Sequence, residues 1–174
     1  MTRLALLLVA LVAPLLVAGC STTDSRSDAE RILGTRTAAV VNVRLLSASV
    51  PVYSLEATTP ASQSTFAAGG AATIRLALPD TLSINVSGIA FDLPLPDEVA
   101  LAGTYSLDEA NDRVTIARTD VGGAVTLRYV FRGSDDLELI AEDADAIAAL
   151  LGAAGPEAAV LAGRVQGVSV RFNL

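Results

Sequence analysis

The stretch AVTLRYVFR, residues 124–132, alternates in character almost from end to end. Val125, Leu127, Tyr129 and Phe131 take one parity; Thr126, Arg128, Val130 and Arg132 take the other. A period of two is the signature of a β-strand with one dry and one wet face. Leu127, Tyr129 and Phe131 are therefore expected inside, and Arg128 and Arg132 in water. A slip of one residue in the pairing would exchange the two sets, so the register is strongly specified.

The same period recurs on both sides of this stretch. It is read at Val41–Leu45, Ile74–Leu78, Leu82–Ser87, Phe91–Pro96, Arg113–Ala117 and Val168–Asn173. Turn-forming clusters punctuate the chain: AAGG at 67–70, DEAND at 108–112, DVGG at 120–123 and GSDD at 133–136. Short connections join antiparallel neighbours. A helical pattern is confined to two places. SDAERILG, residues 27–34, predicts a short helix with Ser27 or Asp28 as cap and Gly34 as stop, and Ile32 and Leu33 are placed to plug the end of a barrel. DADAIAALLG, residues 143–152, predicts another, with an Asp cap, Ile147, Leu150 and Leu151 on one face and Gly152 as stop. PEAAVLAG follows, with Pro156 at a first-turn position, and then a last strand.

About ten strands with one apolar face must bury it by rolling into a barrel or stacking as two sheets. The expectation is an all-β fold, an antiparallel up-and-down barrel of about 8–10 strands. It carries a short N-terminal helix and a helical insert before the last strand. Most strands fall short of the roughly nine to eleven residues that cross a bilayer, and the insert bears Asp143, Asp145 and Glu157. A transmembrane barrel is not expected.

Alternation assigns the interior to Val43, Ile74, Leu76, Ile84, Val114, Ile116, Leu127, Tyr129, Phe131 and Val170. Two uses of such a lining stand open: a cup for a small hydrophobic ligand, or a filled core. Only Tyr129 brings a hydroxyl, so an interior ligand would be apolar or amphipathic. An unmatched polar group buried there would cost roughly 1–3 kcal/mol.

The N-terminus addresses location. Arg3 precedes an apolar run from Leu4 to Gly19, interrupted by Pro14, and the only cysteine follows at position 20. A positive start, an apolar stretch and small residues before a cut form a secretory signal. Val17-Ala18-Gly19-Cys20 resembles the lipobox of bacterial lipoproteins. In that family the signal is cut before the cysteine, whose sulfur and new amino group carry acyl chains such as palmitate. Several chains give stable anchoring where one alone is marginal. The alternatives are an ordinary secreted protein with a chance cysteine, or an uncleaved anchor; an unpaired thiol outside the cytoplasm disfavours both. The chain thus divides into a signal peptide at 1–19, a lipidated Cys20 with a small, polar tether through 29, and a barrel domain at 30–174. The membrane is a partner through the N-terminal lipid. Ser21, being other than Asp, points to the outer membrane by resemblance to lipoprotein sorting in enterobacteria.

The order of elements carries a further resemblance. A lipobox leads to a helix ending LGTRT, then FAAGGAATIRL, LAGTYSLDEANDRVTI and LRYVFRGSDDLELIAED. This is similar to the lipocalin-like domains of small bacterial lipoproteins, and it covers most of 31–142. That resemblance implies a cup-shaped barrel. Arg36 stands where the family carries a tryptophan that closes the barrel base.

Composition excludes more than it proposes. The formal charge is −7 and the pI about 4.5, which argues against nucleic acid and against a polybasic grip on lipid. Histidine is absent, so there is no imidazole base and no histidine metal ligand. A serine nucleophile would lack its usual partner. The carboxylates of DEAND and of EDAD at 142–145 are oxygen ligands of the kind calcium takes, but a hairpin tip and a helix start account for them. NVS at 85–87 is read as a chance sequon. Arg44, Arg75, Arg113, Arg128, Arg132 and Arg171 all take the polar parity, as a solvated exterior or an anion-binding surface would have them. No cofactor, metal or enzymatic activity is expected, and no protein partner is named by the sequence.

Overall fold

In a computed structural model, residues 25–47, 50–77, 81–86, 89–94, 97–119, 122–133, 135–153, 159 and 165–173 are described. Cys20, the signal segment and Pro156 lie outside them. Helix α1, Asp28–Arg31, precedes strands β1 (Gly34–Ser47), β2 (Val50–Phe66), β3 (Ala71–Ala77), β4 (Thr81–Val86) and β5 (Ile89–Pro94). Then come β6 (Glu98–Asp108), β7 (Arg113–Arg118), β8 (Ala124–Arg132), β9 (Asp136–Ala141), helix α2 (Ala144–Ala153) and β10 (Val165–Asn173).

Eight strands close into an antiparallel barrel in the order β1-β10-β9-β8-β7-β6-β3-β2. Every connection within it is to a neighbour in the chain, apart from the excursion between β3 and β6. There, among the described residues, β4 and β5 form a separate two-stranded sheet, Leu82 opposite Leu93 and Ile84 opposite Phe91. The all-β up-and-down architecture with its two short helices is as the alternation predicts. Closure removes the exposed edges that an open sheet of this size would present.

β8 shows how one face is kept dry. Val125, Leu127 and Tyr129 are buried, while Arg132 is exposed and Arg128 half-exposed. Their neighbours obey the same parity: Val114 and Ile116 of β7 face Leu127 and Val125 across the ladder, and Leu137 and Leu139 of β9 face Phe131 and Tyr129. Interior residues from all eight strands, from α2 and from Ile32, the C-cap of α1, belong to one apolar cluster.

Two glycines meet local demands. Gly34 takes φ +110°, which lets the chain enter β1 only two residues after α1 ends. Gly103 sits where β6 crosses from β3 to β7, and a Cβ there would lie 2.0 Å from the Ala117 carbonyl oxygen. At the tip of DEAND, the Asp108 carboxylate accepts from the Asn111 side-chain amide at 2.8 Å, and Asp112 takes φ +51°. These carboxylates build a turn. α2 continues one residue beyond Gly152, its expected stop.

Candidate functional site

The candidate site inferred from alternation is the barrel interior. Ile74, Leu76, Val114, Ile116, Leu127, Tyr129 and Val170 all belong to the core cluster. Phe131 is partly buried and packs against it. Val43 pairs with Val168 and Leu55 in the barrel ladder, but its side chain lies outside the described residues. Ile84 sits in β4, which has no pairing with any barrel strand, and its side chain is likewise outside them.

Exposure around the lining describes how the interior is filled. Val114, Ile116, Leu137 and Phe172 expose 0% of their surface, Leu101 and Tyr129 2%, and Leu127 and Leu139 3%. A void holding even one water would leave measurable accessible surface on its walls. These residues come from β6, β7, β8, β9 and β10, so the section they bound is packed with side chains. The most accessible of the buried apolar residues are Leu76 at 7%, Val41 at 8% and Val168 at 9%.

The α1 end is closed by polar chemistry. Ser27 caps α1 in a reciprocal box: its side chain accepts from the Glu30 backbone amide, and the Glu30 carboxylate accepts from the Ser27 backbone amide. A four-residue helix leaves its last carbonyls without intrahelical donors. Arg36, only 1% exposed, supplies them: Nη1 donates to the Ile32 carbonyl at 2.8 Å and Nη2 to the Arg31 carbonyl, while Nε donates to the Asp135 carbonyl at 2.9 Å. Burial lowers the Arg36 pKa, and the carboxylates of Asp135 and Asp136 oppose that shift. Ile32 beneath it is fully buried.

Tyr129 spends its hydroxyl at the same end, donating to the Asp28 carboxylate at 2.9 Å. Burial first, then that hydrogen bond and the Asp28 charge, hold its phenol well above the ordinary tyrosine range. The Arg31 guanidinium lies 4.1 Å from the centroid of the Phe131 ring, and Arg26 pairs with Asp135 at 2.6 Å. Arg26, within the stretch read as tether, thus contacts the loop between β8 and β9.

Sequence reasoning missed the polar part of the interior. Thr59, Ser62 and Ser64 of β2 are all buried. Ser62 Oγ donates to Thr59 Oγ1 at 2.8 Å and accepts from the Ala77 amide at 2.9 Å, whereas Ser64 Oγ has no partner. The parity of β2 shifts at Pro60-Ala61, both exposed, opposite a register shift between Thr37 and Ala39 of β1. The signal for this bulge was Pro60 itself, which is confined to such places within sheets.

The surface arginines are mostly paired. Arg75 forks onto Glu98, Arg128 onto Glu142, and Arg132 meets Glu138 at 2.9 Å. A half-open cleft of about 150 Å³ lies on the outer wall among Arg113, Arg128, Ile140, Glu142 and Asp143. No family model, curated protein or solved structure matches this chain.

Proposed function

We propose that this chain is a lipid-anchored protein of the bacterial envelope, non-enzymatic, whose lipocalin-like barrel is a filled scaffold displayed at the membrane for contact with another envelope component. The anchoring rests on the sequence Val17-Ala18-Gly19-Cys20 behind an apolar signal. Outer-membrane placement follows from Ser21 by the sorting resemblance. The observation that carries the filled scaffold is the burial of Leu101, Val114, Ile116, Leu127, Leu139 and Phe172 at 0–3% exposure. The one interior hydroxyl expected to meet a ligand is already bound to Asp28. Arg36, in the position where lipocalin-like domains close the barrel base with tryptophan, closes it here with hydrogen bonds.

A second reading is favoured by one observation. Leu76, Val41 and Val168 are the most accessible core residues, and an apolar chain would enter beside them. Native mass spectrometry of protein purified from its own host envelope separates the two readings. The filled scaffold expects covalent acyl mass at Cys20 and no second, non-covalent molecule. A stoichiometric lipid released by gentle activation, and lost in Leu76→Trp, would establish the carrier instead. Membrane partitioning tests the anchor itself: Cys20→Ala should lose palmitate labelling and accumulate unprocessed. Labelling equal to wild type would refute lipidation.

A further inference from the structure

We propose that the cleft on the outer barrel wall, between Arg113 and Asp143, binds a small zwitterion of the α-amino acid class. Its floor is set by the ladder. Arg113 of β7 lies directly opposite Arg128 of β8, which lies opposite Ile140 of β9. Two like charges opposite each other in a sheet repel, and here each faces a carboxylate, Asp143 and Glu142. Ile140 has the outward parity of β9 yet is only 6% exposed, and it stands outside the core cluster. It gives the cleft an apolar wall.

The four charged groups are unequally engaged. Arg128 and Glu142 form a two-pronged pair, Nη2 to Oε1 at 2.6 Å and Nε to Oε2 at 3.2 Å. Arg113 meets Asp143 only at 4.0 Å, beyond hydrogen-bond length, and both are about half exposed. Asp143 is held in place by its other oxygen: Oδ1 accepts from the Ala146 amide at 2.7 Å and so caps α2. Its Oδ2 is the atom turned to Arg113.

An anion alone would gain Arg113 but face Asp143 and Glu142. A cation alone would meet the reverse. A ligand with carboxylate and ammonium on one carbon matches both signs. Its carboxylate takes the Arg113 fork, and its ammonium donates to Asp143 Oδ2. The long ion pair is replaced by two shorter, charge-assisted contacts. A cleft of about 150 Å³ seats a single residue with a modest apolar side chain, laid against Ile140.

The test is calorimetric titration of the full-length chain in detergent micelles with L-leucine as probe. Leucinamide, which lacks the carboxylate charge, and 4-methylpentanoate, which lacks the ammonium, are the comparators. Loss of one charge-assisted contact is worth about tenfold in affinity. Leucine should therefore saturate, with both comparators at least about tenfold weaker. Arg113→Gln should weaken leucine by the same factor, as should Asp143→Asn, which keeps the helix cap because asparagine serves there equally. The comparators use wild-type protein and read the site even where a variant misfolds. Absence of saturable leucine binding, equal binding of either comparator, or unchanged binding by folded Arg113→Gln would overturn the proposal.

Discussion

The two ends of the barrel are closed by different physics. At one end α1 has four residues and presents a single deeply buried side chain, Ile32, from its C-terminal cap. So short a helix is not stable by itself, and it holds through directed bonds: the Ser27–Glu30 box, Arg36 to two helix carbonyls, Tyr129 to Asp28 and Arg31 over Phe131. At the other end α2 has ten residues, packs against β6, β8 and β10, and buries Ala146 and Ile147. Its one described side-chain cap is Asp143. A plug with little apolar surface needs hydrogen bonds; a longer one can rely on burial. The ends therefore differ in how substitution and pH should act on them.

The largest effect is expected at Arg36. Arg36→Ala leaves three carbonyls without their donor, that of Ile32 buried and those of Arg31 and Asp135 part-buried, and opens a void beneath α1. The cost should be about 3–5 kcal/mol in denaturant unfolding, with α1 detached. A cost below about 1 kcal/mol would mean that water satisfies those carbonyls and that the polar latch is ornamental. Ile147→Ala probes the other end by burial alone. It should cost about 2–4 kcal/mol, with no change in the pH dependence of stability.

That contrast also separates what could be read in the sequence from what could not. β8 was legible because a barrel wall imposes one dry face, and nothing but pairing register decides which. The cap of α1 was legible as Ser27 or Asp28, because short polar residues there precede the helical pattern, but the reciprocal box with Glu30 was not read. Arg36 was not legible. Its burial depends on carbonyls of α1 and on Asp135, about a hundred residues away, and an isolated arginine at even parity carries no sign of that. β2 was missed for another reason: PVYSLEATTPASQSTF has two prolines, and its buried Thr59, Ser62 and Ser64 are small and polar, so no apolar period marks it. The hairpin of β4 and β5 shows the opposite limit. Its alternation is as clear as that of β8, yet it stands outside the barrel ladder, because a period of two reports a strand and not its neighbours.

Tyr129→Phe removes one bond of the latch while keeping the ring. At neutral pH it should cost about 1–2 kcal/mol, for a hydrogen bond to a charged acceptor. The alkaline range carries the sharper signature. The folded phenol titrates above its ordinary 10.0 because burial and the Asp28 carboxylate disfavour the phenolate. Its contribution is complete below pH 10, where the unfolded phenol is also neutral, and is lost as pH rises further and only the unfolded state ionises. Wild type should therefore lose stability above pH 10 faster than Tyr129→Phe, and the gap between them should narrow. Tyr105, whose phenol burial also raises, leaves a residual slope in both proteins. Parallel pH curves would show that the Tyr129 hydroxyl is not held in the folded state.

The smallest effect is expected on the outer wall, next to one of the larger ones. Leu127 and Arg128 are adjacent in β8 and share its backbone pairing with β7 and β9, so any difference between them reports only which face each side chain takes. Leu127, 3% exposed in the packed section, should cost about 2–5 kcal/mol on change to alanine. Arg128 is paired with Glu142 at 2.6 Å, but its side chain is 38% exposed and that of Glu142 49%. An ion pair so open to water gains little over its solvated partners, and salt screens what it gains. Arg128→Ala should therefore cost under about 1 kcal/mol at low salt, and the cost should shrink as ionic strength rises. It also relieves the repulsion with Arg113 across the ladder, which pushes the net effect further toward zero. Comparable losses at the two positions, or a loss at Arg128 that persists in high salt, would mean that β8 is buried on both faces. The cleft beside Arg113 would then be part of an interface and not an open wall.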